Sequence, residues 1–363
     1  MSIHYKKEII SPEVLQELYP LTEEQKKLKQ HKDEEIKAVI TGASDKFLVI
    51  IGPCSADHED SVCEYTSRLA RIQEQVKDKI LIIPRIYTNK PRTTGEGYKG
   101  IVHQPDPEKK EDFMEGLIAM RKMHLRSISE TGFFAADEML YPENWPYISD
   151  ILSYVAVGAR SVEDQQHRMT VSGMDVPAGM KNPTSGDFSV MLNSCIAAQA
   201  PHTFLYRGYE VETDGNPLAH TILRGAVNKH GQAIPNYHYE DLERLHEKYS
   251  LLNLKNPACI IDANHSNSGK KYYEQPRIVD EVMHSRMVNP AISEHAETTA
   301  TTELIFLFFI INTTLLLLQY MNIVLIKYIQ YFHFYYNYYK IVTCIVQRRL
   351  CYHSLPGMST KNQ

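Results

Sequence analysis

Residues 47–87 read FLVIIGPCSADHEDSVCEYTSRLARIQEQVKDKILIIPRIY, with a short apolar run at each end and a helical pattern in the middle. The two runs, 47–55 and 80–87, are rich in Val, Ile and Leu. Between them, apolar residues recur from Val62 to Val76 at spacings of three or four, which is the spacing of an amphipathic helix. The stretch therefore predicts a strand, a helix and a second strand, with both strands buried on both faces.

The same alternation continues along the chain. Five further apolar runs predict strands at 133–139, 154–160, 176–182, 202–208 and 258–265. Helical stretches lie between them, including one around 110–130 that Gly132 ends. Runs that are apolar throughout indicate parallel strands covered by helices, so the fold class is α/β. Two architectures fit: a (β/α)8 barrel, which needs one strand more than the seven counted, and a doubly wound sheet, whose GxGxxG motif is absent.

The first 46 residues predict an N-terminal extension with two helices. Ser11 followed by Pro12 is a typical helix start. Thr22 and Gln25 have the spacing of a capping box, and the helix that follows them is expected to end near Ile40. The predicted domains are this extension (1–46), the strand–helix region (47–292) and a tail (293–363).

Composition excludes several classes of protein. The chain has 363 residues, a formal charge of −5 and a pI near 6.4, which gives no indication of nucleic-acid binding. Its six cysteines are scattered without a CxxC pair, which is typical of a protein in a reducing, cytoplasmic compartment. The N-terminus has no apolar run of signal-peptide length.

The tail differs from the rest of the chain. No Asp or Glu follows Glu303, and residues 304–326 carry no charge over a length that could span a membrane. Three origins fit this composition: an out-of-frame or unspliced read-through of A/T-rich codons, a membrane anchor, and a diverged eighth strand–helix unit. Membrane association is expected only if the anchor is genuine.

Charged residues follow the predicted strands. Most are cations, and those that end or follow a strand are Arg85, Lys90, Arg92, Arg160, Lys181 and Arg224, with the acids Glu138 and Asp262. In a parallel α/β barrel the strand ends meet in one site. Arg, Lys and Gly-rich backbone together are suited to phosphate and carboxylate groups, so the pattern predicts a multiply anionic ligand. Lys99 is interpreted as solvated surface.

A cysteine and a histidine also end strands. Cys54 follows the first strand and His265 the last, so both are expected at the same edge of the sheet. Thiolate and imidazole are suitable ligands for a divalent transition metal. The alternative is that Cys54 is a small buried apolar residue, and the spacing alone does not decide between them.

Six motifs in order resemble the class I 3-deoxy-D-arabino-heptulosonate 7-phosphate (DAHP) synthases. They are IGPCS, PRIYTNKPRTTGEGYKG, GARSVEDQQHR, GMKNPTSG, ILRG and DANHSNSGK. The resemblance runs from about residue 8 to about residue 292. It implies a (β/α)8 TIM-type barrel that condenses phosphoenolpyruvate with erythrose 4-phosphate in the shikimate pathway to aromatic amino acids.

The resemblance also implies roles for single residues. Phosphoenolpyruvate would be held by Arg85, Lys90, Arg160, Lys181 and Arg224. The phosphate of erythrose 4-phosphate would be held by Arg92 and Thr93. A divalent metal (Mn, Fe or Co) would be bound by Cys54 and His265, and Lys181 would donate a proton, its pKa lowered by neighbouring cations. Glu138 would hold a water or a hydrogen bond on the metal side.

Partners follow from the same resemblance: an aromatic amino acid effector near the N-terminal extension and residues 172–176, and a homo-oligomer. The chain departs from the family after residue 292. The family's eighth strand bears a Glu ligand and the next loop an Asp ligand, and neither motif is present, so the eighth unit is missing or replaced. The alternatives are therefore a non-catalytic or membrane-associated relative, and the sister synthase that makes 3-deoxy-manno-octulosonate 8-phosphate.

Overall fold

The computed structural model describes residues 2–53, 55–90, 92, 95–252, 254–256, 258–289 and the backbone of 305–311. The chain divides into two compact units, Met1–Leu318 and Gln319–Gln363, and all the described residues belong to the first.

Eight helices lie along this part of the chain. They are α1 (Pro12–Leu18), α2 (Glu23–Ile40), α3 (Glu59–Val76), α4 (Phe113–Thr131), α5 (Gln165–Ser172), α6 (Phe188–Gln199), α7 (Tyr239–Ser250) and α8 (Gln275–Val288). Short 3-10 helices cover Pro142–Tyr147 and Tyr272–Glu274.

Eight parallel strands form the main sheet. In chain order they are β1 (Phe47–Ile51), β2 (Ile80–Pro84), β3 (Ala135–Glu138), β4 (Leu152–Val157), β5 (Ala178–Lys181), β8 (Ala219–Leu223), β11 (Ala258–Ile261) and β12 (Ile305–Ile311). Two antiparallel hairpins lie outside it, formed by β6 (His202–Tyr206) with β7 (Tyr209–Thr213) and by β9 (Ala226–Val227) with β10 (Ala233–Ile234).

The order of the strands is that of a TIM-type barrel. It runs β2-β1-β12-β11-β8-β5-β4-β3, and a single parallel bridge between Arg85 and Ala136 joins the two strands at its ends. The Ile86 amide donates to the Ala136 carbonyl at 2.9 Å beside this bridge. The fold predicted from the sequence is therefore confirmed.

The tail supplies the eighth strand. Strand β12 pairs in parallel with β1 on one side and with β11 on the other. The sequence left open whether the family's eighth unit is missing or replaced. Strand β12 takes its place in the sheet. The first part of the candidate membrane span, residues 305–311, is a strand, so that part of the prediction is wrong; residues 312–326 lie outside the described residues. None of the helices in the described residues has the length and apolar character of a membrane span.

The sixth strand of the barrel was placed wrongly. Residues 202–208 were expected to form it, but β6 pairs only with β7, and its side chains alternate between half-buried and exposed. The strand that lies between β5 and β11 is β8, which is buried at every position. A barrel strand is covered on both faces, and HTFLY has too many exposed positions to fill that place.

The helix starts of the N-terminal extension are confirmed. The Ser11 hydroxyl accepts from the Val14 amide, and Thr22 and Gln25 form both hydrogen bonds of a capping box. The C-terminal end of α2 contributes Ile36, Val39 and Ile40 to the same apolar cluster as side chains of the main sheet.

Candidate functional site

The carboxyl ends of the parallel strands gather the candidate residues. Glu138 and Lys181 are the last residues of β3 and β5. Arg85, Arg224 and Asp262 each follow directly after a strand. All five come from the same edge of the sheet, which is where barrel enzymes carry their chemistry.

Lys181 lies at the centre of this group. Its ammonium donates to Glu138 Oε2 at 2.7 Å and to the Tyr87 hydroxyl at 3.4 Å. The Arg85 guanidinium lies 3.7 Å from the centroid of the Tyr87 ring, and Lys181 Nζ lies 5.3 Å from it. Tyr87 therefore brings two cations close together, since an aromatic face attracts positive charge.

The charge state of Lys181 differs from the prediction. Burial lowers the pKa of its ammonium, but the negative charge of Glu138, with smaller contributions from Tyr87 and Asp262, outweighs burial and raises that pKa overall. The expected lowering by neighbouring cations is wrong, because Arg85 is the weaker influence. Burial in turn raises the pKa of Glu138, and Lys181, with smaller contributions from His265 and Arg85, lowers it overall. The pair is thus an ammonium beside a carboxylate.

Two arginines are buried beside this pair. Arg85 is 2% exposed and Arg224 is 8% exposed. Burial lowers the pKa of Arg224, and the charge of Arg160 adds to the lowering, so these two cations lie within electrostatic reach of each other. One buried nitrogen of Arg224, Nη1, has no hydrogen-bond partner among the described residues. A buried guanidinium nitrogen in this state is suited to receive an anion.

A layer of amides holds the loop that carries Arg224. The Asn182 side chain accepts from the Arg224 amide at 2.8 Å and donates to the Gly225 carbonyl at 2.9 Å. Gly225 has φ of +75°, and a Cβ there would lie 2.7 Å from the Asn267 amide nitrogen. The ILRG motif therefore needs its glycine for close packing against the loop after β11.

Asp262 orients His265. Its Oδ2 lies 2.6 Å from His265 Nδ1, and Asp262 is fully buried. Burial would raise the pKa of Asp262, but His265 and the nearby cations lower it below its usual range, so the carboxylate accepts and Nδ1 donates. Burial lowers the pKa of His265 and favours the neutral ring. Its Nε2 then carries the lone pair, as in histidines that bind metals.

The metal site is described only in part. Cys54 lies outside the described residues, and those that are described contain no cluster of three or more His, Cys, Asp or Glu side chains suited to a metal. The neutral, oriented imidazole of His265 fits a metal ligand.

The basic loop after β2 is described at its base and at Arg92. Lys90 Nζ donates to Ser55 Oγ at 2.5 Å, and Arg92 Nε donates to the Tyr98 carbonyl at 2.8 Å. Lys99, interpreted from the sequence as solvated surface, pairs with Glu111 at 2.7 Å, and its side chain is 33% exposed. Thr93 lies outside the described residues.

Sequence reasoning missed Tyr87. It follows Arg85 by two residues in an extended segment, so both side chains point to the same side of the backbone. That period-two spacing after a buried strand is the signal that would have revealed it.

A separate cavity of about 360 Å³ lies beside the N-terminal extension. Its lining residues come from α2, the end of α5 and the segment from β7 to β8: Lys37, 172–175 and 212–218. It includes most of the segment expected to contribute to effector binding.

Comparisons with known proteins agree with this arrangement. Two relatives are the Tyr-sensitive and Phe-sensitive phospho-2-dehydro-3-deoxyheptonate aldolases of Escherichia coli (strain K12). They are 33% and 36% identical to the chain, each over 76% of its length and over 76% and 78% of their own. The solved structure of a phospho-2-dehydro-3-deoxyheptonate aldolase from Francisella tularensis matches with a TM-score of 0.75 and 28% identity. The match covers 85% of this chain and 86% of that one.

A family model covers most of the described residues. The DAHP synthetase I family matches residues 19–294, which span the strands from β1 to β11 and every candidate residue of the site. By its sequence motifs, its strand order and this match, the chain belongs to the DAHP synthetase I family.

Proposed function

We propose that the chain is a 3-deoxy-7-phosphoheptulonate synthase. It condenses phosphoenolpyruvate, erythrose 4-phosphate and water to DAHP and inorganic phosphate, the first step of the shikimate pathway. The observation that carries this proposal is the convergence of Arg85, Lys181 and Arg224, all buried, at the strand ends of a family barrel. Three buried cations gathered at these strand ends are suited to a small, multiply anionic substrate.

Phosphoenolpyruvate binds at this cluster. We assign its phosphate and carboxylate to Arg85, Lys90, Arg160, Lys181 and Arg224. Arg224 Nη1 supports the assignment, since a bound anion would give this buried nitrogen a partner. The phosphate of erythrose 4-phosphate is assigned to Arg92 and Thr93, whose side chains are on the basic loop.

Lys181 is proposed to donate a proton. The π electrons of the C2–C3 double bond of phosphoenolpyruvate form a bond from C3 to the aldehyde carbon of erythrose 4-phosphate, while the C=O π bond of the aldehyde breaks and its oxygen takes up the proton. Water then adds at the electron-poor C2 and loses its protons, C2 becomes the carbonyl carbon, and the C2–O bond breaks to release inorganic phosphate. The raised pKa of Lys181 keeps its ammonium protonated for this role, and Glu138 holds that ammonium in place.

A divalent metal is proposed beside the cluster. Cys54 and His265 would hold it, with Mn, Fe or Co as the candidates. When bound, such an ion supplies Lewis-acid polarisation of the aldehyde. The chain's own contribution is the Asp262 carboxylate, which fixes the tautomer of His265.

The cavity at Lys37 and residues 172–175 is proposed to bind an aromatic amino acid effector. Two relatives are named Tyr-sensitive and Phe-sensitive. We also propose that the chain forms a homo-oligomer and lies in the cytoplasm. The cytoplasmic location is supported by the free thiols of Cys63, Cys195 and Cys259.

The test follows phosphate release by the purified full-length chain with Mn²⁺ and phosphoenolpyruvate. Release that needs erythrose 4-phosphate and stops with a chelator is expected. Replacing erythrose 4-phosphate by arabinose 5-phosphate should give no release. Lys181→Met should abolish turnover, while Lys77→Met, which removes a surface lysine paired with Glu74, should leave it near wild type.

Other outcomes have clear meanings. Release driven by arabinose 5-phosphate would assign the chain to the sister synthase. A folded chain that releases no phosphate with either sugar would identify a non-catalytic relative and overturn the proposal.

A further inference from the structure

A buried carboxylate that the proposed mechanism does not use lies next to the site. Asp137 is 3% exposed and precedes Glu138 at the end of β3. Its Oδ1 accepts from the Thr88 amide at 3.0 Å and from the Glu138 amide at 2.7 Å. Its Oδ2 accepts from the Thr88 hydroxyl. Because these donors are buried, losing their acceptor is costly.

Thr88 is the first residue of the base of the basic loop. Its carbonyl accepts from the Val102 amide at 3.4 Å, and the Lys90 amide donates to the Lys99 carbonyl at 2.9 Å. Gly100, with φ of +101°, packs so closely that a Cβ there would lie 2.3 Å from the carbonyl oxygen of Thr88. The outgoing and returning segments of the loop thus meet at Thr88.

The returning segment is held from another side. A Cβ on Gly116, in α4, would lie 1.9 Å from the Val102 carbonyl, and the Asp112 amide donates to the His103 carbonyl at 3.0 Å. Helix α4 therefore fixes the returning segment, while Asp137 reaches the outgoing segment from the barrel.

The contacts extend beyond Thr88. The Asn89 side chain donates to the Thr88 hydroxyl at 3.4 Å, so that hydroxyl is directed towards Asp137. Lys90 comes next, and Arg92 follows on the same loop. On the other side of Asp137, Glu138 holds Lys181. The end of β3 thus contacts Lys181 through Glu138 and the basic loop through Asp137.

We propose that Asp137 is a positioning residue that anchors the base of the basic loop (88–90 and 99–102) to β3 through Thr88, and so sets where Lys90 and Arg92 meet the substrate. The part that concerns substrate rests on the proposed function. Since four of the five residues assigned to phosphoenolpyruvate lie at strand ends outside the loop, loosening the loop should affect erythrose 4-phosphate more than phosphoenolpyruvate.

The first measurement is hydrogen exchange, which needs no activity. In Asp137→Ala, the amides of Lys90 and Val102 should exchange about tenfold faster or more, because the acceptor of both Thr88 hydrogen bonds is lost. Amides of α6 should keep wild-type protection. Asp137→Asn keeps one carbonyl oxygen for the Thr88 amide and should retain most of the protection. Thr88→Val, which removes only the hydroxyl, should give a smaller increase in the exchange rates of these amides. It tests the same contact if Asp137→Ala does not fold.

The matched control is Asp33→Ala. Asp33 lies on α2 and accepts from buried Ser153 at 2.5 Å, away from the basic loop. Its loss should lower thermal stability without selective exchange at the loop. Equal loop protection in Asp137→Ala and wild type, or faster exchange spread over the whole barrel, would overturn the anchoring.

The second measurement is kinetic. Asp137→Ala should raise KM for erythrose 4-phosphate about tenfold and KM for phosphoenolpyruvate clearly less, with Asp137→Asn close to wild type. Equal rises in both would overturn the assignment to substrate positioning. A wild-type chain without synthase activity would overturn the proposed function instead, and the exchange result would still decide the anchoring.

Discussion

At the scale of residues, the proposed chemistry depends on a carboxylate that sets the charge of its neighbour. Glu138 lies 2.7 Å from Lys181 and raises the pKa of that ammonium against the effect of burial. An acid donor must be protonated to act, so the same contact also sets the upper pH limit of the reaction.

Glu138→Gln should therefore move the alkaline limb of the kcat profile to lower pH. Without the carboxylate, the pKa of Lys181 falls, and the proton is lost at a lower pH. A shift of about one to three units is expected for a charge at this distance. Between pH 6 and 10, wild type should show no alkaline limb from Lys181, whose pKa is raised above its usual 10.5, whereas Glu138→Gln should bring the limb into this range. Glu111→Gln, which removes the partner of surface Lys99, should leave the limb unchanged; an unchanged limb in Glu138→Gln would argue against Lys181 as the donor.

Asp137 gives a second prediction, this time for stability. Burial raises the pKa of its carboxyl from 3.8 to about 7, against the lowering effect of the Thr88 hydrogen bonds. Between those values the folded state holds a proton that the unfolded state has released. The free energy of unfolding should thus fall as pH rises from about 4 to 7, by about 1.4 kcal/mol for each unit of pKa difference at most.

Asp137→Asn has no such proton. The stability of wild type relative to this variant should decline across the same pH range, as measured by urea unfolding at pH 4.5, 5.5 and 6.5. Parallel curves for the two proteins would show that the carboxyl titrates normally.

The sequence indicated which cations lie at the strand ends, but not the direction in which burial and neighbours shift the pKa of Lys181. Arg85, Lys181 and Arg224 were identifiable because each ends or follows a strand. The direction of the Lys181 pKa was wrong, because the balance between burial and Glu138 depends on distances that a sequence does not contain. Asp137 had no signal, since its partner Thr88 lies 49 positions away.

At the scale of elements, the sheet depends on a strand from the unusual tail. Strand β12 lies between β1 and β11, and its register pairs Phe308 with both Val49 and Ile261. Sequence reasoning counted seven strands because the tail lacks the Gly and Pro residues that end the others. It misplaced the sixth strand because Phe204, Leu205 and Tyr206 are consecutive, whereas His220 and Thr221 interrupt the apolar residues of β8.

Truncation should test the role of β12. A chain ending at residue 303 loses the strand and exposes unpaired edges on β1 and β11, so it should aggregate and lose its cooperative melting transition. A chain ending at residue 318 keeps the strand and the compact unit, and should melt as the full chain does. Size-exclusion chromatography and thermal melting measure both. A 303-residue chain as stable as the 318-residue chain would show that the barrel does not need β12.

At the scale of the whole molecule, the proposed site links strands that are far apart in sequence. Arg85, Lys181 and Arg224 come from β2, β5 and β8, so one anion bound between them would join three parts of the barrel. The fold class was predictable because each strand–helix unit is local. The convergence of these cations was predictable only through the general rule that strand ends meet.

Phosphoenolpyruvate should therefore raise the melting temperature. A ligand at one hundred times its Kd stabilises the folded state by about 2.7 kcal/mol. Arg224→Met should lose most of this response. Arg126→Met, which removes a surface arginine paired with Glu59, Asp60 and Glu130, should keep it. An equal response in both variants would place the ligand elsewhere.

The position of β12 also sets the distance between the ends of β1 and β11. Neighbouring strands lie about 4.8 Å apart, so one strand inserted between β1 and β11 keeps their ends roughly 10 Å apart. These two strands lead to Cys54 and His265. Although no Asp or Glu follows Glu303, the backbone of β12 acts as a spacer that sets the distance between the two loops that carry the proposed metal ligands. A replacement segment can preserve that distance with almost any sequence that forms a strand.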